Sequence, residues 1–170
     1  MLYVDTKRLL VLKNEMKQQT QDYLFVGIDD FSRESYAGIY SDKSQFSSAL
    51  FLQNDVFSSA QCSYAIECMY SDNGREYQDI SEHLFVKTCN THRINQKFTK
   101  LACPQTNGKA ERVIRTLMAT WHNQQKFEDS KDRQQKLKRF INYYNKVKPH
   151  KAVSGKTPYE FLEDYFNHEV

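Results

Sequence analysis

The sequence predicts an α/β fold: a mixed five-stranded sheet, three strands antiparallel and then two parallel, flanked by helices. Three observations predict it. The first 40 residues hold three strand-like segments, including a continuous apolar run at residues 23–28. A helix-length segment separates the third strand from the fourth, and in the second half apolar residues recur at helical spacing.

Taken in order, residues 2–12 are rich in Leu and Val and read as the first strand, residues 23–28 as the second, and residues 36–40 as the third, after a polar turn at 29–35. Strands joined this way make an antiparallel meander. Residues 43 to about 57 read as helix and residues 64–70 as the fourth strand, stopped by Ser71-Asp72-Asn73-Gly74, a strong turn signal. A strand reached through a helix is expected to run parallel to its neighbour. A helix around residues 78–89, a short strand near 93–98 and a loop through Pro104 follow. Ala110, Val113, Ile114, Leu117, Met118 and Trp121 form the apolar stripe of the next helix. Leu137, Phe140, Ile141, Tyr144 and Val147 form that of another, which ends before Pro149 because proline disfavours helix in the residue preceding it. Thr157 as cap, Pro158 at the first helical position and Glu160 as the far end of an S/T-x-x-E box mark the start of the last helix.

A length of 170 residues suits one domain with a real core. No apolar run approaches the ~20 residues that cross a bilayer, and the N-terminal residues lack the basic and apolar regions of a signal peptide, so a cytoplasmic location is expected, with no membrane partner. In that setting Cys62, Cys68, Cys89 and Cys103 are expected as free thiols. Cys89 and His92 supply at most half of a zinc site. Charge divides the chain: residues 1–96 carry 9 Lys+Arg against 13 Asp+Glu, whereas residues 97–156 carry 15 against 4. Such asymmetry is the usual footprint of a polyanion partner, although a solvated basic surface gives the same count.

The element order brings three acids toward one edge of the sheet. Asp5 lies on the first strand. Asp72 lies at the C-terminal end of the fourth, where open α/β sheets bind ligands. Glu111 falls in the first turns of the helix after residue 108, whose positive terminus favours a carboxylate. Singly, each has an ordinary reading as an edge-strand, turn or surface-helix acid. Together, convergent carboxylates repel, and divalent cations remove that cost. Two Mg²⁺ ions roughly 3.5–4 Å apart could clamp a phosphodiester between an attacking and a leaving oxygen.

Five stretches carry a resemblance: Val4-Asp5-Thr6-Lys7; Gly27-Ile28-Asp29-Asp30-Phe31-Ser32-Arg33; Ser71-Asp72-Asn73-Gly74; Pro104-Gln105-Thr106-Asn107-Gly108-Lys109-Ala110-Glu111-Arg112; and Tyr143-Tyr144-Asn145 with Pro149-His150. In this order they resemble the integrase-type D-D-E transposase core, as in bacterial insertion-sequence transposases and, more distantly, retroviral integrases. The resemblance implies a ribonuclease H-like fold over residues 1–170, with a helical extension from about 131 to 170. It also implies a metal-dependent polynucleotidyl transferase and nuclease that cleaves and joins DNA ends. Asp5, Asp72 and Glu111 would be its catalytic metal ligands for two Mg²⁺ or Mn²⁺ ions. Asn73, Gln105, Asn107, Lys109, Arg112 and Arg115 become candidate DNA contacts. Asp29 and Asp30 are placed in a turn, and His150 is not assigned as a general base. Double-stranded DNA and a second copy of the chain are the implied partners. Relatives generally carry an N-terminal helix-turn-helix region; here the first acid is residue 5, which leaves three readings open: an excised domain, a truncated reading frame, or a partner to a separately encoded DNA-binding region or subunit. A nuclease that only hydrolyses and a decayed core that only binds DNA or dimerises are the alternatives.

Overall fold

A computed structural model describes residues 1–12, 21–58, 65–78, 80–99 and 108–168. Strands β1 (Leu2–Arg8), β2 (Tyr23–Asp29) and β3 (Ser35–Tyr40) form the meander, with β1 antiparallel to β2 and β2 antiparallel to β3. Strand β4 (Cys68–Ser71) then pairs parallel with β1, and β5 (Asn95–Phe98) parallel with β4, so the sheet order is β3-β2-β1-β4-β5. This is the expected arrangement, a ribonuclease H-like mixed sheet. β1 ends four residues earlier than the apolar pattern of residues 2–12 suggests, because Leu10 and Val11 are exposed beyond it.

The sheet is covered on both faces, which explains why β2 is apolar without alternation. Helices α3 (Gly108–Thr120) and α4 (Ser130–Lys146) lie over the face presenting Tyr3, Leu24, Val26 and Ile28, and there Ala110, Val113, Ile114, Leu117 and Trp121 are buried as one stripe with Leu137 and Tyr144. Each large apolar side chain so enclosed contributes on the order of 1.5–3 kcal/mol. On the opposite face Leu2, Val4 and Phe25 meet Phe51 of α1 (Gln45–Phe51) and Phe85 and Cys89 of α2 (Leu84–Thr91). Val147, expected in the α4 stripe, is 60% exposed because the helix ends at Lys146 and Val147 is already its C-cap.

Local chemistry sets the helix limits. Ser44 accepts a hydrogen bond from the Ser47 amide at the start of α1, and Asp129 from the Asp132 amide at the start of α4. Beyond Phe51 the helix widens into a π-helical turn, Leu52–Phe57. The last helix, α5 (Pro158–His168), opens on the expected reciprocal box: the Glu160 amide donates to Thr157 Oγ1 at 3.2 Å and the Thr157 amide to Glu160 Oε2 at 2.8 Å. Edge strand β3 is tied to α4 by Asn145, whose Oδ1 accepts from the Ser35 amide at 2.9 Å and whose Nδ2 donates to the Ser35 carbonyl at 2.8 Å. Among the described residues no helix is long and apolar enough to cross a membrane.

Candidate active site

Register brings two of the three predicted acids together. Leu2 pairs with Met69 and Tyr3 with Tyr70 across the parallel β1–β4 ladder, so two residues further along the same offset sets Asp5 beside Asp72, just past the end of β4. Both are partly buried. Backbone donors orient them: the Thr6 amide donates to Asp5 Oδ1 at 2.7 Å and the Gly74 amide to Asp72 Oδ1 at 3.1 Å. Behind Asp5, Thr6 Oγ1 shares a 2.8 Å hydrogen bond with the fully buried Tyr77 hydroxyl. Glu111 stands exposed in the first turn of α3.

The carboxylates sense one another. Burial pushes the Asp5 carboxyl up to about 6, against the Thr6 amide that favours its charge, and the negative charges of Asp72, Glu111 and Glu76 push the same way as burial. Oxygen donors of this kind suit hard divalent cations. The arrangement is open: among the described residues no group of three His, Cys, Asp or Glu side chains is set to hold a metal ion as it stands.

Sequence reading missed Glu76 and Lys43. Glu76 is 1% exposed, and its Oε1 pairs with Lys43 Nζ at 3.0 Å. Burial opposes the Lys43 charge, yet the hydrogen bond it donates to Glu76 and the charges of Glu76, Asp72 and Asp5 hold the ammonium above its usual value. The only local signal was a Glu four residues beyond Asp72; the lysine arrives from the loop after β3.

Other candidates separate. Asp29 is the last residue of β2, and its side chain closes the turn that follows: its Oδ2 accepts from the Phe31 amide at 3.1 Å, the Ser32 amide at 2.8 Å and Ser32 Oγ at 2.9 Å. Asp30 pairs with Arg33 and Lys109, which lower its carboxyl below the usual range although burial acts in the opposite direction. Lys109 therefore has a protein partner and also lies over the Tyr3 ring at 4.8 Å. Asn73, Arg112 and Arg115 are exposed, while Gln105 and Asn107 lie outside the described residues. Cys62 and Cys103 lie outside them too. Burial pushes the Cys89 thiol up to about 12 and its Sγ contacts Met69 Sδ, whereas His92 packs on the Phe57 ring at 4.2 Å. His150 is bonded through Nε2 to the Tyr144 carbonyl at 3.1 Å and packs against the Tyr144 ring at 4.3 Å, inclined by 57°; burial lowers its pKa, which suits a chain-fixing role.

Beside α3 runs a cleft of about 540 Å³ whose lining includes Arg33, Lys109, Arg112, Lys148, His150 and Lys151. Of these, the sequence reading had singled out only Lys109 and Arg112 for DNA; the fold adds cations from the β2–β3 turn and from the segment after α4.

The integrase core domain family matches residues 92–158. An uncharacterized protein, K02A2.6, of Caenorhabditis elegans is 37% identical over 94 residues, covering 55% of this chain and 7% of that protein. An insertion element IS136 uncharacterized protein of Agrobacterium fabrum is 29% identical over 106 residues, covering 62% of this chain and 52% of that protein. The chain thus spans about half the length of that insertion-element relative and a small part of the nematode one. The catalytic core domain of BIV integrase superposes with a TM-score of 0.66 over 99% of this chain and 97% of that one, at 19% identity, which speaks for the fold.

Proposed function

Because the chain is an integrase-type transposase core, we propose that it performs divalent-metal-dependent phosphodiester cleavage and strand transfer at DNA ends, with Asp5, Asp72 and Glu111 as the metal ligands. The placement of Asp5 on β1 beside Asp72, just past the end of the parallel strand β4, carries this reading, since neighbouring carboxylates repel and a bound cation relieves that repulsion while leaving both charged. Asp5 and Asp72 form the fixed part of the site, held by the sheet and by backbone amides. Glu111, exposed on the first turn of α3, completes it from the helix side. Two Mg²⁺ or Mn²⁺ ions bound there would activate the attacking hydroxyl or water and neutralise the leaving oxygen. Arg112 and Arg115 follow Glu111 on the same helix, with Asn73 beside Asp72, and these side chains would position DNA phosphates at the acids. Gln105 and Asn107 belong to this proposal from the sequence resemblance alone. Residues 1–170 act in it as one catalytic domain, on double-stranded DNA and as a homodimer or larger homo-oligomer.

The test is cleavage and strand transfer on labelled duplex DNA in Mg²⁺ or Mn²⁺, comparing the native chain with Asp72→Asn. The substitution keeps side-chain volume and removes a charged ligand, so product should fall by at least 100-fold with the thermal midpoint preserved. Nicked product without joined product would favour a hydrolytic nuclease. DNA binding with no product in either metal would favour a core that only binds.

A further inference from the structure

One carboxylate at the site lies outside the triad. Glu76 is 1% exposed, and only its Oε1 is engaged, by Lys43. Glu76 Oε2 is buried with no hydrogen-bond partner among the described residues. A buried carboxylate oxygen left without a partner is costly, and a lysine that is itself 40% exposed offsets only part of that cost. The orphan oxygen faces the acids. A Cβ added to Gly74 would stand 2.6 Å from Glu76 Oε2 and 2.9 Å from Asp72 Oδ1, so both oxygens border the same small space over the Gly74 backbone. Only a residue without a side chain leaves that space open. Glu76 also acts electrostatically on Asp5, and Lys43 is held by Glu76, Asp72 and Asp5 together. A cation entering at Asp72, or a water it carries, would give Oε2 the partner it lacks.

We propose that Glu76, oriented by Lys43, is a fourth carboxylate of the site, its Oε2 directed at the divalent cation held by Asp72 or at a water in that cation's shell. The inference rests on the metal reading of Asp5, Asp72 and Glu111 and adds a positioning residue to it. Lys43 has two effects: it fixes the Glu76 carboxylate through Oε1, leaving Oε2 toward Asp72, and it limits the repulsion among the acids before a cation arrives.

Mn²⁺ affinity of the full chain, followed by the electron paramagnetic resonance signal of free Mn²⁺, tests this without relying on turnover. The native chain is compared with Glu76→Gln, Glu76→Asp and Asp72→Asn, and the thermal midpoint of each is taken in chelator. Glu76→Gln should weaken Mn²⁺ binding about 10- to 100-fold, the range for groups supporting a ligand shell. Its chelator midpoint should hold or rise, because a buried charge is removed. Glu76→Asp, which keeps the charge on a shorter arm, should recover part of the affinity. Native affinity in Glu76→Gln alongside weakened binding in Asp72→Asn would overturn the role of Glu76 and leave the triad standing. A native chain that binds no Mn²⁺ would overturn both. If Glu76→Gln fails to fold, native affinity in a folded Glu76→Asp would likewise overturn the proposal, since the shortened arm withdraws the oxygen from Asp72.

Discussion

Gly38 occupies the middle of β3 where any side chain would collide with a hydrogen bond. A Cβ there would run into the Asp55 carboxylate and stand 2.8 Å from Tyr40 Cε2, the two groups joined by the 2.6 Å bond from the Tyr40 hydroxyl to Asp55 Oδ2. The π-helical turn makes this contact possible by carrying Asp55 under the strand. Nothing in the sequence pairs residues 38, 40 and 55: the glycine reads as a weak strand residue and Asp55 as a solvent-facing helix acid. Gly38→Ala is therefore expected to lower the unfolding free energy by about 1–3 kcal/mol, the usual cost of overpacking, read from the urea midpoint. A midpoint equal to the native one would mean that the Asp55 arm moves aside freely. The acids proposed as metal ligands show the converse. Asp5 within β1, Asp72 past the end of β4 and Glu111 in the first turn of α3 each lie in a stretch that carries the family resemblance, whereas Glu76 and Lys43 are joined only through the folded loops.

Elements were most legible where their own residues close them. The Thr157–Glu160 box lies within four residues and needs no tertiary partner, so its sequence signature and its geometry agree. Helix α4 shows why other features were hidden. Arg133 counts toward the basic surplus of the second half, yet it is 1% exposed: its Nη1 donates to the Leu10 carbonyl at 2.9 Å and its Nη2 pairs with Asp22, which also accepts from Ser130 Oγ at 2.7 Å. A guanidinium inside the protein clamps the start of α4 to the two ends of the connection between β1 and β2; position 133 falls on the helical repeat of the Leu137 stripe, but an arginine there reads as a surface charge. Arg133→Met keeps the apolar stem but strands the Asp22 charge, so it should cost roughly 3–5 kcal/mol, with part of the loss returning in the Arg133→Met/Asp22→Asn pair. Chemical denaturation of the single and double variants checks this; additive losses would show that the two side chains act independently.

At the scale of the whole molecule the mixed sheet, three strands antiparallel and then two parallel, was legible, because a meander followed by strands reached through helices leaves few arrangements of one sheet. The charged surface was legible only as a sum. The count of 15 basic residues between 97 and 156 includes Arg133, which is internal, and Lys109 and Lys136, which are paired with Asp30 and Asp132. It misses Arg33, which the β2–β3 turn carries into the cleft beside α3. Within that cleft Arg112 of α3 is exposed and Lys148, just after α4, rides over the Tyr144 ring at 5.1 Å. If the cleft tracks a DNA backbone, each cation that meets a phosphate contributes about 0.9 to the slope of log K against log salt. The Arg112→Gln/Lys148→Gln pair should then shallow that slope by up to about 1.8 for duplex DNA of any sequence. A substitution acting through the fold would instead lower affinity at every salt concentration alike. Fluorescence anisotropy with two unrelated duplexes between 50 and 200 mM salt separates these outcomes, and an unchanged slope would place the DNA path on another face of the molecule.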